Sequence, residues 1–362
     1  MQLAAHQAIK ARPGYPGALF NLAFANALAG DIGGSLEILN SLVQTGVDYG
    51  VANIDEFAAL QALPGWRAYA RDVAALQQPV GEAAVAFTYD AGDFVPEGIA
   101  AIGDELVLGS IRNGSIVRIG EDIDVLSEAD ASGHWSVFGM RVGPDGGLWF
   151  TSAAVPEFAN VSADNNGATG LYRLNLATKE VTEQFLLPRQ EQAMVLGDLV
   201  FADDDTILAT ESLTGALYRY VISNRKLTQV VAPGKLRSMQ GLVLDASGDF
   251  LYIADYVGGL FRIQLSDYSV DRVTADATIS LFGIDGLYRH GDELIAIQNG
   301  IRPNRVAAFT LGDDGLSITS SRVLARNLPE FDEPTLGTIV GDDFLFVANS
   351  HWNRFDRDAN LA

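Results

Sequence analysis

Four oxygen-bearing side chains recur beside glycines that open apolar runs. Glu97 precedes Gly98, Gln240 precedes Gly241 and Asp285 precedes Gly286, while Asp198 follows Gly197. Asp255, Asn299 and Asn349, with Glu211, stand where the next apolar run of a unit ends. If these runs are the inner strands of a ring, the groups converge at one mouth of a central channel. Carboxylates crowded into a partly buried funnel repel one another. A hard divalent cation resolves that repulsion, and calcium takes roughly six to eight oxygens from carboxylates, amides and water. Magnesium, manganese or zinc are the alternatives. An ion among Glu97, Asp198, Gln240 and Asp285 would polarise a carbonyl and leave a nearby carboxylate to act as base or nucleophile. Asp255, Asn299 and Asn349 then remain to bind a small-molecule substrate.

His134 stands in the loop entering the second unit, and His351 directly follows the last apolar run. Both are expected on the channel-mouth face, where either could serve as a general base or bind substrate. The plainer reading packs them beside Trp135 and Trp352 as polar-tipped aromatics, and for each histidine singly it is preferred. His6 and His290 fall elsewhere. The stretch AAVPEFANVSADNNGATG (153–170) follows the second run of its unit and should overhang the mouth. Long loops of this kind act as lids or binding loops, and Asp164, Asn165 and Asn166 offer oxygens to an ion or a substrate. A solvated insertion is the competing reading.

The elements that must position these groups are legible as a repeat. Six segments share one layout of glycine, apolar run, polar turn and second apolar run: 97–110, 138–152, 196–211, 240–255, 284–299 and 336–350. Their lead glycines, Gly98, Gly139, Gly197, Gly241, Gly286 and Gly337, are spaced by 41, 58, 44, 45 and 51 residues. Two further strand-like runs lie between copies, as in GGLFRIQL (258–265) and SVDRVT (269–274). Four strands per unit and six units predict a mainly β chain, a six-bladed β-propeller. HWNRFD (351–356) should supply a short third strand to the sixth blade. AAVAFTYD (83–90) should supply its outer strand and close the ring, removing an open edge.

Residues 1–80 have a different texture, rich in Ala and Leu at helical spacing. LAFANALAGDIGGSLEILNSL (22–42) resembles a tetratricopeptide-type helical hairpin. One such repeat cannot bury its own face, so the helices should pack on the propeller as a cap. The expected organisation is therefore a helical segment over 1–80 and a propeller over 83–362. The helices also offer a surface for a protein partner or self-association.

Bulk composition narrows the function classes. With 24 basic and 46 acidic side chains, the net charge of -22 repels phosphate backbones and anionic lipid, and attracts cations. The chain has no cysteine, which removes disulfides, thiolate metal sites and cysteine nucleophiles. No run of about 18 apolar residues is present to span a bilayer. MQLAAHQAIKARPG carries no apolar core of a signal peptide. The compartment stays open: periplasm or secretion if a leader precedes the sequence, cytoplasm otherwise.

On these motifs the blades resemble the senescence marker protein (regucalcin)/gluconolactonase superfamily over roughly residues 85–355. Paraoxonase-like and strictosidine-synthase-like propellers are more distant relatives. That family carries a metal-ligating Glu in an EG motif of its first blade, matched by Glu97 in PEGIA (96–100). It carries a ligating Asp in a DG motif of its fifth blade, matched by Asp285 in GIDGL (283–287). The resemblance implies that Asp285 is also the catalytic base. Gln240 in QGL stands where the family has Asn in NGL, and Gly197–Asp198 stands where it has an Asn–Asp pair. The activity implied is calcium-dependent hydrolysis of a lactone or related ester. A non-catalytic binding or scaffold propeller is one alternative, and a metal-independent activity of the strictosidine-synthase-like kind is another.

Overall fold

The computed structural model describes residues 2–89 and 92–361. Four helices come first: α1 (Gln2–Ala11), α2 (Pro16–Leu28), α3 (Ile32–Gln44) and α4 (Trp66–Leu76). Pro16 opens α2, where its missing N–H costs nothing. Asp31 caps α3 by accepting from the Gly34 N–H at 3.0 Å. Ala23, Leu36, Leu39, Leu42, Phe57, Leu60 and Tyr69 form a buried core of their own between the helices.

Several hydrogen bonds tie the helical part to the propeller. The Asp48 N–H donates to Arg302 O at 2.8 Å. Asn327 Nδ2 donates to Leu76 O at 2.8 Å. Val80 and Arg326 exchange a reciprocal pair of backbone bonds at 2.9 and 3.0 Å.

Five antiparallel blades follow. The first holds β1 (Pro96–Ile102), β2 (Glu105–Ser110), β3 (Ile116–Ile119) and β4 (Ile123–Ser127). The second holds β5 (Ser136–Val142), β6 (Leu148–Ala153), β7 (Thr169–Asn175) and β8 (Glu180–Leu186). The third holds β9 (Leu196–Asp203), β10 (Thr206–Glu211), β11 (Ala216–Val221) and β12 (Lys226–Val231). The fourth holds β13 (Met239–Leu244), β14 (Phe250–Asp255), β15 (Gly259–Gln264) and β16 (Val270–Arg272). The fifth carries β17 (Thr274–Ala275) parallel on the outside of β18 (Ile284–His290), β19 (Glu293–Gln298), β20 (Arg305–Leu311) and β21 (Ser317–Arg326). A two-stranded ribbon, β22 (Gly337–Val340) and β23 (Asp343–Phe346), comes last.

Gly98, Gly139 and Gly241 are required by the packing of one blade on the next. A Cβ on Gly98 would meet Phe138 O at 2.0 Å, and one on Gly241 would meet Leu287 N at 2.3 Å. The inner strand also loses register at this point, between Pro96 and Ile99 in β1 and between Met239 and Leu242 in β13. Such a bulge re-aims the side chain beside it. Each of the six repeat segments forms the antiparallel pair its pattern predicts.

The expectation of six blades is corrected. Among the described residues five form, and the sixth place holds the two-stranded β22–β23 ribbon. Its third strand does not arise, because Trp352–Arg354 makes a helical turn, and Phe355 bridges locally to Leu361. Its outer strand does not arise either. Ala83–Tyr89 pairs with no strand, and Tyr89 packs on Phe94 of blade one at 4.9 Å between ring centroids. Asp90 lies outside the described residues. The ribbon instead meets blade one through Leu336 and Val347 on Ile99. Among the described residues no helix is long and apolar enough to cross a membrane.

Candidate functional site

A cavity of about 370 Å³ opens at one mouth of the ring. The residues just before the lead glycines of four inner strands reach it: Glu97, Phe138, Gln240 and Asp285. Chain leaving the second strands adds Val155, Leu213, Tyr256 and Asn299. The last loops of the ring add Glu333, Thr335 and Trp352. Three carboxylates thus share the cavity with Phe138, Tyr256 and Trp352, and among the described residues no lysine, arginine or histidine lines it.

Asp285 is held by a relay of neutral donors. Tyr256 OH donates to Asn299 Oδ1 at 2.9 Å. Asn299 Nδ2 donates to Asp285 Oδ2 at 2.7 Å and to Pro334 O at 2.9 Å. Glu97 Oε2 accepts from Trp352 Nε1 at 2.8 Å. Burial, then the neighbouring Asp285 charge, push the Glu97 carboxyl well above the ordinary carboxylate range, and the Trp352 bond only partly offsets this. Burial likewise pushes Asp285 up to about 7, against the stabilising Asn299 bond and with help from Asp198 and Glu333. Two carboxyls facing one space, both raised above the ordinary carboxylate range, suit acid–base chemistry near neutrality.

Asp198 is not part of this layer. It lies one residue past its glycine and accepts from Arg141 Nη2 at 3.2 Å and from the Leu199 N–H at 2.8 Å. Arg141 in turn stands over the Tyr288 ring, 5.7 Å from its centroid. Arg141, Asp198 and Tyr288 all follow their glycines and so form a second layer behind the first. The expected four-ligand calcium set therefore does not assemble. The Asp198 carboxylate already has a cation, and among the described residues no three His, Asp or Glu side chains come together as a metal cage.

His134 also lies away from the cavity. It is 2% exposed, with Nε2 2.8 Å from Gly114 O and its ring edge-on to Phe150 and Tyr172. Burial pulls it down to about 4, so it is a neutral core side chain without access to a substrate. Asp255 is a turn anchor. Its Oδ2 accepts from Arg237 N–H at 2.7 Å and its Oδ1 from Gly258 N–H at 2.8 Å. Asn349 accepts from the His351 N–H at 3.2 Å, and neither side chain lines the cavity. Asn165 is spent inside its own loop, accepting from Ser162 N–H at 2.7 Å and donating to Asn160 O at 3.1 Å. Of the 153–170 loop, Val155 reaches the cavity.

Tyr256, Glu333 and Trp352 are cavity residues that the motifs did not single out as functional. A signal for Glu333 was present. EPTLG (333–337) places a Glu–Pro step four residues ahead of the lead Gly337, in the loop entering the sixth repeat segment.

No family model matches the chain, and no curated protein matches its sequence. Solved structures do match. One is a protein provisionally named a gluconolactonase, with a TM-score of 0.52 and 14% identity over 72% of this chain and 87% of the other. Another is the PQQ-bound aldose sugar dehydrogenase of Streptomyces coelicolor, with a TM-score of 0.51 and 15% identity over 74% of this chain and 91% of the other. The chain shares their β-propeller fold. At such identity the likeness concerns the fold alone, and the chemistry must be argued from the cavity.

Proposed function

We propose that the channel-mouth cavity is the active site of a hydrolase acting on a lactone or related ester, with Asp285 as general base and Glu97 as general acid. The observation that carries this reading is the pair itself: two deeply set carboxyls, in equivalent strand positions, face one 370 Å³ cavity, and burial raises the proton affinity of both. A cavity of that size suits a small molecule.

Around neutral pH Asp285, pushed up to about 7, is partly ionised, and Glu97, pushed well above the ordinary carboxylate range by burial and by the Asp285 charge, is assigned as the proton donor. Ionised Asp285 takes a proton from a water as its oxygen bonds to the substrate carbonyl carbon, and the carbonyl electron pair moves onto oxygen. Collapse of that adduct breaks the acyl C–O bond, and the departing alkoxide takes the Glu97 proton. The products are a carboxylic acid and an alcohol, with the Asp285 proton returned to solvent or to Glu97. Asn299 and Trp352 act by positioning, one oriented by Tyr256 and Pro334, the other by its place on the C-terminal turn.

Turnover needs Asp285 ionised and Glu97 protonated. Activity should rise with an acid limb near pH 7 and fall again at higher pH, as a coupled pair. Asp285→Asn should lower kcat/KM on a lactone panel by about 10²–10⁴-fold in a folded protein. Glu97→Gln should remove the alkaline limb. Turnover that survives both substitutions with an unchanged pH profile would sink the assignment. Ligand binding with no turnover of any lactone or ester would leave a binding propeller in its place.

One observation favours a second reading that adds a divalent cation. Glu97, Gln240 and Asp285 face a cavity with three carboxylates and, among the described residues, no basic side chain. Of the expected ligand sphere, these three are the described residues that line the cavity. Calcium, magnesium, manganese and zinc titrated at fixed ionic strength decide the point. A saturable rise in Tm that Asp285→Asn abolishes supports an ion there.

A further inference from the structure

Where the N-terminal helices meet blade five, two arginines stand opposite each other across a β-ladder. Arg305 opens β20 and Arg326 closes β21, and their Cα atoms are direct partners. Both are buried, at 6% and 8% exposure. Arg305 Nε donates to Gln298 Oε1 at 2.7 Å, and its Nη1 reaches Thr45 O and Gly46 O at 3.3 Å. Gly46 is required by this approach, since a Cβ there would meet Arg305 Nη1 at 2.3 Å. Arg326 Nη2 reaches Ala75 O at 3.4 Å, and its buried Nε has no partner. Every acceptor is neutral. Among the described residues neither arginine forms an ion pair with Asp or Glu.

Like charges directly opposite on a ladder repel, and buried charges without a counter-charge are costly. In a chain with 46 acidic side chains the lack of a carboxylate here is a specific feature of the site. Burial and the Arg326 charge pull the Arg305 guanidinium down to about 10. A cavity of about 170 Å³ lies against both arginines, and Thr45 and Ser280 also line it. Ser280 is 4% exposed, and its Oγ is a second buried polar atom without a partner. This cavity shares no lining residue with the one at the channel mouth.

We propose that this cavity binds a small tetrahedral oxyanion of the phosphate class between Arg305 and Arg326, with Ser280 Oγ as a further donor. A dianion supplies the two charges that the pair lacks. Guanidinium forks match phosphate oxygens with parallel N–H bonds. The volume is ample for the anion. Because Thr45, Gly46 and Ala75 belong to the helical part, an occupied site braces the helices against blade five.

The test uses inorganic phosphate as the probe, followed by Tm and by titration calorimetry, with chloride and acetate as controls at equal ionic strength. The wild type should gain Tm saturably with phosphate and little with chloride. Arg326→Gln should bind phosphate at least tenfold more weakly, yet lose no Tm in chloride, because removing one of two facing charges relieves repulsion. If Arg326→Gln does not fold, Ser280→Ala decides, with several-fold weaker phosphate binding expected. Equal responses of wild type and variants would mean an adventitious ion only and overturn the proposal. So would an equal gain from acetate, which would assign the site to carboxylates.

Discussion

Asp285 and Glu97 each precede a lead glycine, yet their hydrogen bonds differ, and stability should register the difference. A carboxyl raised from 3.8 to about 7 binds its proton more tightly in the folded protein than in the unfolded chain. The stabilisation from that proton is complete below the unfolded value and is lost as pH rises through about 7. At about pH 8 the wild type therefore carries a buried charge that Asp285→Asn removes. The variant should be more stable than wild type there by ~1–3 kcal/mol, a value discounted for water in the cavity, and Tm should rise by a few degrees. Near pH 5 the advantage should vanish. Equal Tm differences at both pH values would show that Asp285 is not a buried charge. At this scale the sequence is legible where a group stands just before a lead glycine, as Glu97, Gln240 and Asp285 do. It misleads where a group stands just after one. Asp198 alternates to the next layer, and its partner Arg141 comes from another blade, a pairing that no local spacing encodes. His134 shows the same limit. Chain order puts its loop near the channel mouth, but the side chain turns inward onto Phe150 and Tyr172.

The inner-strand bulges are the elements that aim these side chains, and they rest on glycine. Gly241 has the backbone of blade five against it, with Leu287 N and Asp285 O at 2.3 and 2.7 Å from where a Cβ would stand. Gly241→Ala should destabilise the protein by about 1–3 kcal/mol or more, since backbone cannot move aside as a side-chain tip can. It should also weaken lactone turnover, because Asp285 lies at the contact. Gly33→Ala, with nothing within 4 Å and a helical position in α3, should be neutral or stabilising. Chemical denaturation of both variants checks the contrast, and equal losses would remove the close-approach argument. The hairpins themselves are readable from sequence because each combines a period-two apolar run with a turn. The segment 351–356 is not. Six residues with one aromatic pair fit a strand or a turn equally, and the choice falls to Trp352, whose indole N–H meets Glu97. The segment 83–89 departs from its pattern for a related reason. Its alternation fits an edge strand, but Tyr89 finds a packing site on blade one instead.

Across the whole molecule the ring is closed by packing of the ribbon and C-terminal turn on blade one, with no strand exchanged between chain ends among the described residues. Trp352, Phe355 and Leu361 cover Val95, Ile111 and Phe138 beside the cavity. That closure brings Glu97, Asp285 and Glu333 together on a chain whose net charge is already -22. Repulsion among like charges is greater in the compact state than in the expanded chain, so the fold works against its own field. Ion pairs among the described residues, such as Arg118–Asp124 and Arg173–Asp145, are mostly at the surface and contribute little each. Screening should therefore favour the folded protein. Raising sodium chloride from roughly 0.05 to 0.5 M, which shortens the Debye length several-fold, should raise Tm. The same salt should blunt, without abolishing, the Asp285→Asn advantage near pH 8, because a buried carboxylate is screened less than a surface one. A fall in Tm with salt would mean that the surface pairs outweigh the net charge, and that the acidic surface is balanced locally rather than strained globally.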